Sequence, residues 1–112
     1  MKKLLLVDDD TAFLQLLSSM LQQDFQVYEA TGVAEALKTL DTAPVHAICS
    51  DFNMRDGTGL ELLERLYHEN IKIPFLLMSG NDDYRLYDAA ERYGAIFSCK
   101  TDVDFLKRIR TL

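Results

Sequence analysis

Acidic, hydroxyl and basic side chains follow four of the apolar runs in this chain of 112 residues. Three consecutive aspartates, Asp8 to Asp10, follow the first run, and Asp51 ends a later one. Ser79 and Lys100 end two further runs. Several carboxylates in one place repel one another unless a cation is present, and Mg²⁺ binds both carboxylate and phosphate oxygens. With a hydroxyl and a lysine, such a cation would surround a phosphoryl group, and the central carboxylate could itself form an acyl phosphate.

The elements that must bring these residues together are indicated by apolar runs that alternate with helical periodicity. The alternation occurs five times, which is typical of βαβ units and a parallel sheet. The predicted strands are residues 3–7, 25–29, 45–50, 73–78 and 95–99. Right-handed crossovers would place the carboxyl end of every strand on the same edge of the sheet. The polar residues are therefore expected to meet at that edge, around Asp51.

Capping residues and apolar spacing indicate where the helices lie and which way they face. At the amino ends, the predicted caps are Asp10 or Thr11 for the first helix, Thr58 with Glu61 as a capping box for the third, and one of residues 81–83 for the fourth. Gly94 is predicted to end the fourth helix. The residues expected to face the sheet include Phe13, Leu16, Leu17, Met20 and Leu21 in the first helix, Leu60, Leu63, Leu66 and Tyr67 in the third, and Val103, Leu106 and Ile109 in a last helix beginning near Asp102.

The composition limits the class of protein. With 48% hydrophobic residues, the chain is expected to fold as one domain over residues 1–112. Its net charge of −6 argues against nucleic acid or an anionic membrane surface as a partner, because both attract clustered Lys and Arg. The first apolar run is too short for a signal peptide, and no run approaches the roughly 20 residues of a membrane span. A cytoplasmic protein is therefore expected, with Cys49 and Cys99 reduced inside strands.

Four sequence motifs, taken together and in order, carry a resemblance to a known family. They are LLLVDDD at the first strand, DFNMRDGTGLELL at the third, LLMSG at the fourth, and AERYGA followed by IFSCK at the fifth. Over its full length the chain resembles the receiver domains of two-component response regulators, the CheY-like family. The resemblance implies a flavodoxin-like α/β fold: a doubly wound sheet of five parallel strands in the order 2-1-3-4-5, with helices on both faces.

The resemblance also implies a role for each residue at the sheet edge. Asp51 matches the aspartate that accepts a phosphoryl group from a histidine kinase or a phosphotransfer protein and that also binds Mg²⁺. The other matching residues are Asp8, Asp9 and the backbone carbonyl of Asn53 as further Mg²⁺ ligands, Lys100 as the lysine that pairs with the phosphoryl oxygens, Ser79 as the switch hydroxyl, and Phe97 as the aromatic that follows it. Such a domain is not an enzyme in the usual sense, because it catalyses only its own phosphorylation and dephosphorylation.

A partner face is expected where the fourth helix, the fifth strand and the last helix meet. Phosphorylation would change the shape of this face and so act on a downstream protein or output domain, and the same face could carry a homodimer. On the fourth helix the residues predicted to point outward are Tyr84, Arg85, Tyr87 and Asp88.

Three positions depart from the family pattern. Thr101 and Arg55 stand where the family usually has proline, and His46 replaces a frequent aspartate. None of these changes removes a group that phosphorylation needs. The sequence does not predict the shapes of the loop that contains Arg55 and the loop that contains Thr101.

Two other functions are compatible with parts of the sequence. A receiver-like adaptor would bind its partner without phosphorylation. A phosphohydrolase of the haloacid dehalogenase class would use Asp8 as its nucleophile, because Asp8-Asp9-Asp10-Thr11 comes within one residue of the D-x-D-x-T motif. That second interpretation gives Asp51 no role, and its threonine is misplaced.

Overall fold

A parallel sheet lies between two layers of helices in the computed structural model, which describes all residues from Met1 to Leu112. Its elements are β1 (Lys2–Val7), α1 (Thr11–Leu21), β2 (Phe25–Ala30), α2 (Val33–Thr42), β3 (Ala47–Asp51), β4 (Asn53–Met54), β5 (Gly57–Thr58), α3 (Gly59–His68), β6 (Phe75–Ser79), α4 (Tyr84–Arg92), β7 (Ile96–Cys99) and α5 (Phe105–Arg110). The five-stranded sheet has the order β2-β1-β3-β6-β7, and β4 pairs with β5 in a separate hairpin. Without that hairpin the order reads 2-1-3-4-5, so the predicted fold and strand order are confirmed.

The central strands are apolar throughout because both of their faces are covered. On one face, Leu4 and Leu6 of β1 share a core with apolar residues of α1 and α5. On the other face, Leu5 and Val7 share a core with residues of α2, α3 and α4. Alternate side chains of a strand point to opposite faces, so β1 contributes to both cores. The two helix layers fix the positions of the strands and, with them, of the polar residues at the strand ends.

The predicted inward face of α1 is wrong at two positions. Leu16 and Met20 are 59% and 45% exposed, whereas Leu14, Leu17 and Leu21 are buried. The three buried leucines follow one another at spacings of three and four, which makes a single stripe on a helix. The helix has more apolar residues than one stripe can hold, and only packing against the sheet decides which stripe turns inward.

The other helices require two further corrections. Tyr67 was expected inward on α3 but is 56% exposed, with its ring 5.0 Å from the ring of Tyr93 in an edge-on contact. Val103 was expected to face the core but is 98% exposed, because α5 begins at Phe105 and Phe105 takes the buried place. The side chain of Asp102 accepts a hydrogen bond from the backbone N–H of Cys99, so it closes a turn instead of beginning a helix.

Several local predictions are confirmed. Asp10, Thr58 and Asp83 each accept a hydrogen bond from a backbone N–H in the first turn of α1, α3 and α4. Gly94 follows α4 with a φ of 75°, a value that favours glycine. Both cysteines are buried and unpaired. As a separate observation, the longest helix has 11 residues, and no helix of this chain could span a membrane.

The amino end of α2 is capped by a residue from a distant loop, which the sequence did not indicate. The two carboxylate oxygens of Asp56 accept hydrogen bonds from the N–H groups of Val33 and Ala34, at 2.9 and 3.0 Å. Gly32 allows this approach, because a Cβ there would lie 2.7 Å from the carboxylate. The backbone hydrogen bonds from Ala34 and then Val33 lower the pKa of Asp56. The contact ties the loop after β3 to α2.

We expect Asp56→Asn to destabilise the protein by about 1 kcal/mol at neutral pH, because it loses one acceptor and the favourable charge at a helix amino end. Since the folded-state pKa of Asp56 is lowered, its stabilisation is complete above the unfolded pKa of about 3.9 and is lost as the pH falls through the folded value. Urea unfolding at pH 7 and at a pH well below the unfolded pKa would show the difference from wild type shrinking.

The matched control is Asp41→Asn, which changes an exposed aspartate of α2 whose side chain makes no hydrogen bond. It should leave the free energy of unfolding within about 0.5 kcal/mol of wild type. An equal loss in both variants would contradict a specific role of Asp56.

Candidate functional site

The polar residues predicted to meet do meet at one edge of the sheet. Asp8 follows β1, Asp51 ends β3, Ser79 ends β6 and Lys100 follows β7. All four strands run parallel and in register, so their carboxyl ends lie side by side. Asp8, Asp51 and Ser79 are each more than nine-tenths buried. The sheet thus places reactive groups in a shallow, largely desolvated site.

Lys100 joins the site through its side chain. Its Nζ lies 2.8 Å from Asp8 Oδ2 and 3.2 Å from Asp51 Oδ1, with only 18% of the side chain exposed. The same Nζ lies 4.3 Å from the centre of the Phe13 ring, within the range of a cation–π contact. Phe13 was predicted only as a helix residue that faces the sheet. Its packing beside Lys100 could not be found from the spacing of apolar residues.

Negative charge exceeds positive charge among these groups. Carboxylate oxygens of Asp8, Asp9 and Asp51 lie within 4.8 Å of one another, and Lys100 is the only cation bonded to Asp8 and Asp51. Burial raises the pKa of Asp51, and the charge of Asp8 adds to this, while Lys100 opposes it. For Lys100, burial lowers the pKa, but its hydrogen bond to Asp8 and the charge of Asp51 outweigh burial and leave the pKa raised. An all-oxygen donor set with excess negative charge suits a hard divalent cation.

The loop after β3 contacts one of the acidic residues, Asp9. The backbone N–H of Arg55 donates to Asp9 Oδ2 at 3.0 Å, while the Arg55 side chain is 91% exposed and only 4.0 Å from the same oxygen. The contact with Asp9 is therefore made by the backbone of Arg55, and it does not require the arginine side chain. Asn53 begins β4, between Asp51 and Arg55 in the chain, and pairs with Thr58 of β5.

The two residues predicted to act as a switch, Ser79 and Phe97, make no hydrogen bond to the acidic residues. Ser79 Oγ accepts a hydrogen bond from the N–H of Asn81 at 3.2 Å and makes none to Asp51 or Lys100. Phe97 lies in β7 opposite Leu77 of β6 and is 8% exposed, inside the core beneath α2, α3 and α4. In this conformation the aromatic ring is therefore a core residue.

The predicted outward residues of α4 are confirmed as exposed. They are Tyr84, Arg85, Tyr87 and Asp88, with Tyr84 75% and Tyr87 51% accessible. Tyr87 also lines a groove of about 460 Å³ between α4, β7 and α5, which includes Ile96 and Arg108. This is the region where the sequence predicts a partner face.

Gly59 is a structural requirement that the sequence patterns did not indicate. Its N–H donates to the carbonyl of Phe52, which brings the start of α3 against the end of β3. A Cβ at this position would overlap the backbone oxygen of Asp51 and lie 2.8 Å from Leu77 Cδ1 and 2.9 Å from Ser50 Oγ. Only glycine permits this close approach, so it supports the backbone of Asp51 directly.

We expect Gly59→Ala to lower the free energy of unfolding by about 2 kcal/mol or more, because a buried backbone must move to accept the methyl group. Gly80→Ala is the matched control, since no atom lies within 4 Å of a Cβ there. The control should be neutral or slightly stabilising, by about 0.5 kcal/mol. Chemical denaturation of both variants tests this, and equal effects would contradict the packing argument.

Comparison with known sequences gives one consistent family. A sequence profile described as the response regulator receiver domain matches residues 4–98. The probable chemotaxis protein CheY of Rhizobium etli is 33% identical over 97 residues, which cover 83% of this chain and 75% of that protein. The acid tolerance regulatory protein ActR of Rhizobium meliloti is 31% identical over 96 residues, which cover 85% of this chain and 50% of that protein. The chain thus spans about half the length of ActR.

Solved structures show the same fold. The receiver domain of the Francisella response regulator 1452 has a TM-score of 0.90 at 23% identity, covering 99% of this chain and 95% of that chain. The response regulator TrrA of Thermotoga maritima, solved in complex with Mg²⁺-BeF, has a TM-score of 0.82 at 24% identity, covering 96% and 95%. At such identities the likeness concerns the arrangement of strands and helices.

Proposed function

We propose, since the chain belongs to the response regulator receiver domain family, that Asp51 accepts a phosphoryl group from a phosphohistidine. The donor would be a histidine kinase or a phosphotransfer protein. The observation that carries the proposal is the position of Lys100 Nζ, 2.8 Å from Asp8 and 3.2 Å from Asp51. A lysine held between two buried carboxylates is placed to neutralise a third group that carries negative charge.

The chemistry assigns a separate role to each group. A carboxylate oxygen of Asp51 attacks phosphorus, an O–P bond forms, and the P–N bond of the phosphohistidine breaks with its electron pair going to the imidazole nitrogen. The ammonium of Lys100 offsets the charge on the phosphoryl oxygens as the group is transferred. Asp8 keeps the lysine extended towards Asp51. The chain catalyses only its own phosphorylation and dephosphorylation in this scheme.

Asp8, Asp9 and Asp51, with the backbone carbonyl of Asn53, would hold Mg²⁺. The support for this comes from the three carboxylates that lie within 4.8 Å of one another and from the excess of negative charge around them. A bound Mg²⁺ supplies positive charge to the phosphoryl oxygens and relieves the repulsion among the acids. The complex of TrrA with Mg²⁺-BeF is consistent with this assignment by analogy.

Phosphorylation would be read out through Ser79 and Phe97. It adds about −1.5 to −2 charges at Asp51, and the Ser79 hydroxyl, now an acceptor for the N–H of Asn81, could donate to a phosphoryl oxygen instead. The space that Ser79 leaves would admit Phe97, which changes the surface between α4, β7 and α5. Tyr84, Arg85, Tyr87 and Asp88 lie on or beside that surface and would contact a downstream protein, an output domain or a second copy.

The phosphorylation site can be tested by treating the protein with acetyl phosphate and Mg²⁺ and measuring its intact mass. We expect wild type and Asp41→Asn to gain one phosphoryl group and Asp51→Ala to gain none, because the accepting carboxylate is gone. Label on Asp8 instead would favour the hydrolase interpretation. No label on wild type, and no change with beryllofluoride, would favour the adaptor.

Mg²⁺ binding can be tested by thermal unfolding, without any phosphodonor. A ligand that binds only the folded state at 100 times its Kd stabilises the protein by about 2.7 kcal/mol, so we expect Mg²⁺ to raise the Tm of the wild type above its value in EDTA. Asp9→Asn should lose most of this shift, and Asp41→Asn should keep it. The same shift in Asp9→Asn as in wild type would contradict the proposed ligand set.

A further inference from the structure

A cluster of polar side chains next to Lys100 in the chain links the end of β7, the following loop and α5. Its centre is one carboxylate oxygen, Asp102 Oδ2, which accepts from the N–H of Cys99 at 3.1 Å and from Arg108 Nη1 at 2.8 Å. Arg108 Nη1 also donates to Ser98 Oγ at 3.1 Å, and Ser98 is fully buried. The three bonds connect a strand, a loop and a helix through two side chains.

The cluster surrounds the short stretch of backbone that carries Lys100. Cys99 lies immediately before Lys100 and Asp102 lies two residues after it, so the bond between them spans the lysine. The N–H of Asp102 donates to the carbonyl of Cys99, which closes the same turn a second time. On the sheet side, the N–H of Lys100 donates to the carbonyl of Ser79 at 2.8 Å. The lysine backbone is thus held from both sides.

No proline restrains this loop. Thr101 is not a proline, and all peptide bonds of the chain are trans. The Thr101 hydroxyl lies 3.1 Å from the sulfur of Cys99, which is a weak contact. Asp102 is therefore the residue that sets the turn, and Arg108 holds Asp102 in position from the second turn of α5.

We propose that Asp102 and Arg108 are positioning residues for Lys100: together they fix the turn from which the lysine reaches Asp8 and Asp51. The consequence for phosphoryl transfer rests on the proposed function, but the positioning itself does not. Displacement of a charged group by about 1 Å can cost on the order of a hundredfold in rate. Loss of the turn should therefore slow phosphorylation while the three acidic residues stay in the site.

The first measurement does not depend on phosphorylation. Lys100 is protected by its two carboxylate partners, whereas Lys38 of α2 is exposed and has no ion pair. Acetylation by an amine-reactive ester, followed by peptide mass spectrometry, should modify Lys100 several-fold faster in Asp102→Ala than in wild type. The rate at Lys38 should be the same in both proteins. An unchanged rate at Lys100 would overturn the proposal.

The second measurement is the rate of phosphorylation by acetyl phosphate, beside the shift in Tm that Mg²⁺ causes. We expect Asp102→Ala to slow phosphorylation by on the order of ten- to a hundredfold while the Mg²⁺-dependent shift is kept or enlarged, because the three acids remain and lose a competing cation. Arg108→Lys, which keeps the charge on a shorter side chain, should slow it less. A loss of the Mg²⁺ shift together with the rate would mean general disruption and would overturn the proposal.

Asp24→Ala is the matched control. Asp24 forms a half-exposed ion pair with Arg110 of α5 at 3.0 Å, away from Lys100. This variant should match wild type in Lys100 acetylation and in phosphorylation rate. If wild type is not phosphorylated at all, the proposed function fails, and the acetylation rates still decide whether Asp102 and Arg108 position Lys100.

Discussion

The contact between the ammonium of Lys100 and the carboxylates of Asp8 and Asp51 is the interaction around which this structure is arranged. A charge removed from water is expensive unless it is paired and hydrogen-bonded. Here one cation pairs with two buried carboxylates, and the carboxylate of Asp9 is close by. The negative charges are therefore only partly balanced. The surplus negative charge keeps the site receptive to a cation, while the lysine keeps it receptive to an anionic group.

The rest of the fold keeps this arrangement rigid. The loop from the end of β3 to the start of α3 is held at three points: the N–H of Arg55 on Asp9, the carboxylate of Asp56 on α2, and the close approach of Gly59 to the backbone of Asp51. The loop after β7 is held by Asp102. Each of these contacts uses backbone groups or a single carboxylate, so the site tolerates unusual side chains at positions such as 55 and 101.

The two positions where the family usually has proline show how the departures are accommodated. At position 55 the useful contact is a backbone N–H, which a proline would lack. At position 101 the turn is set by the neighbouring Asp102 and by Arg108. In both loops a hydrogen bond provides the local constraint. One joins Arg55 to Asp9, which is distant in the chain, and the other joins Asp102 of the loop to Arg108 of α5. The resemblance by itself therefore did not predict the shapes of these loops.

The sequence alone determined the parallel α/β sheet and the meeting of Asp8, Asp51, Ser79 and Lys100 at one edge, because right-handed crossovers place the carboxyl ends of parallel strands together. The strand order was implied by the resemblance to the receiver domain family. Local caps such as Thr58 were equally predictable, since they depend on residues within one turn. Only the tertiary structure decided which stripe of α1 turns inward, where Val103 points, and that Phe13, Asp56 and Gly59 support the site. Those outcomes depend on packing between elements that are distant in sequence. Residue types and their spacing within one element do not show which distant element will pack against it.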